Sequence, residues 1–220
     1  MARLHYDAGM KWFPILLLPL SLAVSPAEEP GEKLVFDTEW KGERIELPPT
    51  FAPKMKMEGI EEIRFAPGMF KPGEEDFFSY VFVFAVPAEQ DLAQEVIETE
   101  MLAYYRGLGE AVSKGKGKEV DASKFKFELE KSKEAKQVPA AAKDKKAVVA
   151  YVGKLDWVEP FATGKPQVLH FEIQVWKDPG SGRGYLFVGT SPKKIADDDE
   201  IWKQLRQIRS RFKIEAPKKG

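Results

Sequence analysis

The chain has no cysteine and only two histidines among its 220 residues, and these two shortages remove whole classes of chemistry. Without a thiol there is no disulfide framework, no Cys/His nucleophile, no thiolate zinc site and no cysteine for lipid attachment. His5 lies in a leader segment, residues 1–27, so His170 is the sole histidine of the remaining chain. One imidazole cannot build a multi-histidine metal site. No charge of one sign dominates either: 34 basic against 35 acidic residues leave a net charge of -1, which gives no global attraction to nucleic acid or to an anionic membrane surface. A Gly-x-Ser-x-Gly elbow and a dinucleotide-binding glycine loop are absent, and Lys114-Gly115-Lys116-Gly117-Lys118 does not end as a phosphate-binding loop does. Neither a cofactor nor a metal is implied.

The leader is the clearest functional signal. Lys11 precedes the apolar run 12–24, and Ser25-Pro26-Ala27 follows with small residues at the -3 and -1 positions. The run is shorter than the ~20 residues of a bilayer-spanning helix, contains Pro14 and Pro19, and is followed by Glu28-Glu29 rather than by basic residues. This is the pattern of a cleaved signal peptide. Met10 gives the leader a shorter basic start than Met1 does, and cleavage after Ala23, with Ser21 at -3, is a second option beside cleavage after Ala27. The expected localisation is periplasmic or secreted, with no membrane span after cleavage. A cysteine-free exported protein of this size fits a bacterial envelope better than a eukaryotic secretory route.

With 43% hydrophobic and 31% charged residues, the body from residue 28 can bury the core of one domain. Its centre is a meander of three strands, at 147–157, 167–177 and 184–191, joined by turns rich in glycine, proline and aspartate. Residues 77–86 are apolar on both alternating sets and read as a central strand covered on both faces. Shorter strands are expected at 33–36, 44–47, 62–65 and 125–130, with the proline-broken stretch 48–75 wrapping one sheet edge. A helix over 89–113 carries Ala93, Ile97, Met101, Tyr104, Leu108 and Val112 at helical spacing, so its Tyr104-Tyr105 pair reads as core; Gly107 and Gly109 weaken its last turns. A final helix over 198–212 has Ile201, Leu205, Ile208 and Phe212 on one stripe. The triplet Asp197-Asp198-Asp199 at its start reads as a cap rather than a metal site. Arg206, Arg209, Arg211 and Lys213 read as its basic outer end. The fold class is therefore α+β, a largely antiparallel sheet covered by two main helices.

Residues 114–146 hold eleven lysines against six acids. Without an arginine, and with only Phe125 and Phe127 as aromatics, the segment reads as a flexible, solvated excursion and not as a nucleic-acid patch. The closing strand Gly184-Tyr185-Leu186-Phe187-Val188-Gly189-Thr190-Ser191 and the helix 201–212 resemble the end of PsbP/Mog1-like domains. That resemblance implies an antiparallel sheet with helices on both faces, and many bacterial members of the family are exported; it carries no functional residue.

Candidate ligand-binding residues come from one strand face. His170, Glu172 and Trp176 alternate on the same side of the middle meander strand, and Asp156 and Glu159 lie at the end of its neighbour. Glu172 is expected to raise the pKa of His170. No catalytic residue is assigned. The leading expectation is a non-enzymatic exported binding or assembly domain whose partner is an envelope protein or a small ligand. The alternative is a carboxylate-based hydrolase acting on an envelope or extracellular polymer.

Overall fold

The computed structural model describes residues 32–215; the leader and both cleavage options lie outside them. Along the chain come β1 (Lys33–Val35), β2 (Lys41–Leu47), β3 (Gly59–Phe65), β4 (Tyr80–Pro87), α1 (Gln94–Gly115), β5 (Lys126–Lys131), β6 (Val149–Val158), β7 (Pro166–Asp178), β8 (Arg183–Ser191), α2 (Glu200–Arg211) and β9 (Lys213–Glu215). Seven strands form one antiparallel sheet in the order β2-β3-β4-β8-β7-β6-β5. β1 and β9 make a separate two-stranded antiparallel pair. The expected meander is β6-β7-β8, and the expected central strand is β4, hydrogen-bonded to β3 on one side and β8 on the other.

The alternation of β4 divides the apolar side chains into two cores. Tyr80, Phe82, Phe84 and Val86 point to the side of α1, and Val81, Val83 and Ala85 to the side of α2. All seven are at most 4% exposed, which is why both sets of this strand had to be apolar. On the first side α1 contributes Ile97, Met101, Tyr104 and Tyr105; on the second, α2 contributes Ile201, Trp202, Leu205 and Ile208. The fold is thus α+β, a large antiparallel sheet covered by helices.

Helix α1 begins five residues later than the periodicity predicts. Residues 88–93 form turns instead, in which the Asp91 carboxylate accepts from the Ala93 N–H at 2.9 Å. At α2 the aspartate triplet does cap: Asp199 Oδ1 accepts from the N–H groups of Ile201 at 2.9 Å and Trp202 at 3.2 Å. The basic outer end of this helix needs correction. Arg206 and Arg209 are buried, 5% and 2% exposed, because they share the face of Trp202 and Leu205 and turn their guanidinium groups onto Glu172 of β7.

The lysine-rich segment contains the 3-10 turn Ala122–Lys124, then β5, then a strap over residues 132–148. Ala142 and Val148 of the strap are buried in the α2-side core, and Ala135, Val138 and Ala141 pack against it. Its backbone is tied to the end of α2, with Ala141 N–H donating to the Phe212 carbonyl at 2.9 Å. Among the described residues no helix is long and apolar enough to cross a membrane.

Candidate functional site

The five residues singled out from the sequence do not converge on one cavity. Asp156 pairs with Lys154 at 2.9 Å, both half exposed. His170 stands opposite Lys154 and Ser191 in the sheet. Partial burial, then Lys154 and Lys194, push its pKa below the usual histidine value, against a smaller opposing effect of Asp156. The expected rise from Glu172 is therefore a correction, and its cause is that the Glu172 carboxylate is held elsewhere. Its oxygens accept from Arg206 Nη2 at 2.7 Å and Arg209 Nη1 at 2.8 Å. Burial pushes this carboxyl up, but the two guanidinium groups outweigh it and hold it below the ordinary glutamate value. Trp176 is core, 3% exposed and stacked on Tyr185 with ring centroids 5.2 Å apart.

A cleft of about 290 Å³ opens beside Glu172, between the strap and β6, β7 and α2. Its buried charged groups, Glu172, Arg206 and Arg209, are paired with one another. Arg206 also contacts Asp197 at 3.0 Å, while Arg209 donates to the carbonyls of Lys136 at 3.0 Å and Gln137 at 3.2 Å. Gln174 adds a hydrogen bond to the Lys136 carbonyl at 2.6 Å. This arrangement fastens the strap to the sheet and leaves neither guanidinium free for a ligand.

The other face of the sheet, on the α1 side, carries a different kind of hollow. It has a volume of about 160 Å³ and lies between β2, β3, β4 and α1. Tyr80, Tyr104 and Phe65 come from the sheet and helix, and Phe51, Phe70, Phe78 and Phe161 from loops. Phe70 meets Phe65 and Phe161 with ring centroids 6.1 and 5.7 Å apart, and Phe78 meets Phe161 at 5.7 Å. Phe70 is 54% exposed, the only exposed large hydrophobic side chain among the described residues.

Each wall loop is fixed by a carboxylate that accepts backbone N–H groups. Glu100, on α1, takes Lys56 N–H at 2.7 Å and Met57 N–H at 2.9 Å, holding the loop that carries Phe51. Asp76 takes Gly68 N–H at 2.9 Å within the loop that carries Met69, Phe70 and Phe78. Glu159 accepts from the N–H groups of Phe161, Ala162 and Thr163 and from the Thr163 hydroxyl at 2.8 Å. Glu159 is therefore not a ligand-facing group but the brace of the turn that bears Phe161. Phe78 adopts φ 51°, a left-handed conformation that costs a bulky residue on the order of 1–3 kcal/mol and is retained where the surroundings over-determine it. Its N–H donates to the Met69 carbonyl at 3.1 Å and its ring packs on Trp157 at 5.4 Å.

Behind the pocket is a buried polar cluster. Glu61 is fully buried on the α1 side of β3, and both its carboxyl oxygens lie 3.1 Å from the Tyr104 hydroxyl. Burial pushes the Glu61 carboxyl up to about 8, against the hydrogen bond from Tyr104 and with a smaller push from Glu43. The hydroxyls of Tyr80 and Tyr105 are 2.6 Å apart, and burial holds Tyr80, Tyr104 and Tyr105 above the ordinary tyrosine range. These phenols stay protonated.

Sequence reasoning missed Glu61 because the strand was begun at residue 62. In Gly59-Ile60-Glu61-Glu62-Ile63-Arg64-Phe65, however, Glu61 has the parity of Ile63 and Phe65. An acid in phase with a strand's apolar set was the available signal. The loop aromatics carried none, since the residues that bring Phe51, Phe70 and Phe161 together are far apart in the chain.

Among the described residues no group of three or more histidines, aspartates and glutamates is arranged to hold a metal ion. Comparison with protein-family models, with curated proteins and with solved structures finds no match to this chain.

Proposed function

We propose that this protein is an exported, non-enzymatic binding domain that takes the end of a small ligand into the aromatic pocket on its α1 face. The observation that carries the reading is the preorganised wall: rings on three separate loops, each braced by its own buried or half-buried carboxylate, around a rim where Phe70 stays exposed. A hollow braced in this way costs little further ordering when a ligand enters. Its roughly 160 Å³ is on the order of the space that holds a benzene-sized group and is smaller than a site enclosing a whole drug-sized molecule. The pocket is thus an anchor for one end of a ligand.

The apolar run and small-residue ending of the leader support export. Intact-mass analysis of protein recovered from a bacterial periplasm tests that part, the expected mature start being Glu28. The resemblance to PsbP/Mog1-like domains is consistent with this reading and adds architecture alone. The hydrolase alternative is weaker, because Glu159 and Glu172 use their carboxylates to brace a turn and a strap, which leaves no pair of them facing a common space.

Binding is tested by following the Met69 methyl resonance while benzene is added. The expected result is a saturable shift confined to Met69 and its neighbours, reduced by Phe70→Ala and abolished by Ile45→Trp, which fills the hollow from the exposed edge strand. Shifts scattered over the surface, or unaffected by Ile45→Trp, would falsify the reading.

A further inference from the structure

The walls of the anchor pocket leave one question that its apolar character does not answer, namely the charge of what enters. Its lining contains a single ionic side chain, the carboxylate of Glu43, and no lysine or arginine. Glu43 stands on the open edge strand β2, where it pairs with Ile63 of β3, and Ile45 pairs with Glu61. The two glutamates are therefore diagonal neighbours on one sheet face, close enough for Glu43 to act on the Glu61 carboxyl. Of the nearby cations, Lys41 shares the β2 face of Glu43, opposite Phe65, but does not line the hollow. Arg44 points to the other face and pairs with Glu62 at 3.2 Å, and Lys116 donates to the Phe161 carbonyl and does not line the hollow.

Aromatic faces carry negative potential through their quadrupoles, so rings arranged around a small space attract a positive group whose own surface is apolar. Here the rings of Phe51, Phe65, Phe70, Phe78, Tyr104 and Phe161 surround the space and a carboxylate stands at its edge. A neutral apolar group would fill the rings and gain nothing from Glu43; an anion would meet both the carboxylate and the rings unfavourably. From this juxtaposition we infer that the pocket is selective for an organic cation, a methylated or alkylated ammonium group at the end of a small ligand. The inference rests on the pocket being a ligand anchor, and it names the chemical class of that ligand.

Three probes of one shape separate the two claims. Choline, 3,3-dimethylbutanol and 3,3-dimethylbutanoate present nearly the same branched head, cationic in choline and neutral in the other two, and the last carries a carboxylate at the opposite end. Each is titrated into the whole protein by calorimetry, with the Met69 methyl resonance as a site-specific readout. Choline is expected to bind roughly tenfold tighter than the neutral alcohol, the factor that cation–ring attraction supplies in a partly desolvated site, and the carboxylate weakest of the three. Glu43→Gln, on an exposed strand whose folding is checked by its melting curve, is expected to lower the choline affinity several-fold and leave the alcohol unchanged. Equal or tighter binding of the alcohol overturns the cation inference while the anchor reading stands. If none of the three perturbs Met69 and Phe70→Ala changes nothing, both fall together.

Discussion

The hydroxyl of Tyr104 sits 3.1 Å from each carboxyl oxygen of Glu61, in a part of the α1 face that water does not reach. Burial raises the carboxyl to about 8 from its ordinary 4.5, so the folded protein holds a proton at neutral pH that the unfolded chain has released. Below about pH 4.5 both forms carry it and it costs nothing. Between about 4.5 and 8 stability falls as pH rises, by at most ~1.4 kcal/mol per pH unit for one proton, and above 8 the loss is complete. Glu61→Gln, which keeps an acceptor for Tyr104, is expected to flatten that slope. Urea unfolding at pH 5 and pH 8 measures it; an unchanged difference between the two pH values would show that the carboxyl titrates normally.

Gly107 is expected to resist alanine although it lies inside α1. Helix propensity alone favours alanine over glycine there by ~1 kcal/mol. A Cβ at this position would stand 2.3 Å from the Phe51 carbonyl oxygen and 2.7 Å from Ala52 Cα, so the helix and the loop must part. A net loss of ~1–3 kcal/mol, the range for overpacking, is expected in urea unfolding, with weaker binding of any probe that touches Phe51. A stabilised variant would show that the loop yields freely.

Removing Arg209 leaves Glu172 short of one buried partner and the Gln137 carbonyl without its donor, while the Lys136 carbonyl keeps only Gln174. Arg209→Met is expected to cost ~3–5 kcal/mol, and the double variant Glu172→Gln with Arg209→Met less than the sum of the two singles. Trypsin should also cut the 131–146 region sooner in the single variant. Additive losses with an unchanged cutting rate would mean that the pair does not secure the strap.

Glu159→Ala deprives three backbone N–H groups and a hydroxyl of their acceptor. A loss of ~1–3 kcal/mol is expected from buried donors left unsatisfied. Because Phe161 is carried on that turn, the variant should also bind a pocket probe less tightly at a temperature where it remains folded. Calorimetric titration beside a melting curve separates the two effects, and full affinity in a destabilised variant would show that the wall does not depend on the brace.

The sheet and its helices were legible because they are written in local periodicity. Residues 147–191 alternate between turn signals, and β4 is apolar throughout. The pocket was hidden because it depends on what lies opposite what. Phe51, Phe70 and Phe161 meet only after three loops fold onto α1 and the sheet, and nothing near any of them in sequence announces the others. Arg206 and Arg209 misled for a related reason. Their spacing places them beside Trp202 and Leu205, but charge argued for the outside until Glu172 was seen beneath them. The strap residues 132–148 had too little periodicity to show that Ala142 and Val148 would be buried.

The pairing of β4 with β8 has a consequence for the order in which the chain can assemble. Residues 80–87 meet residues 183–190, so this most apolar strand has one edge without its neighbour until nearly the whole domain has been synthesised. β3 can pair with it early, with β2 on its outer side, while β5, β6 and β7 must wait for β8 to connect them to it. Such a distant seam makes for slow closure and leaves a sticky strand edge exposed in the meantime. Under the proposed export, in which the chain crosses a membrane before it folds, the delay is an advantage, provided something shields Tyr80–Pro87 until the second half arrives.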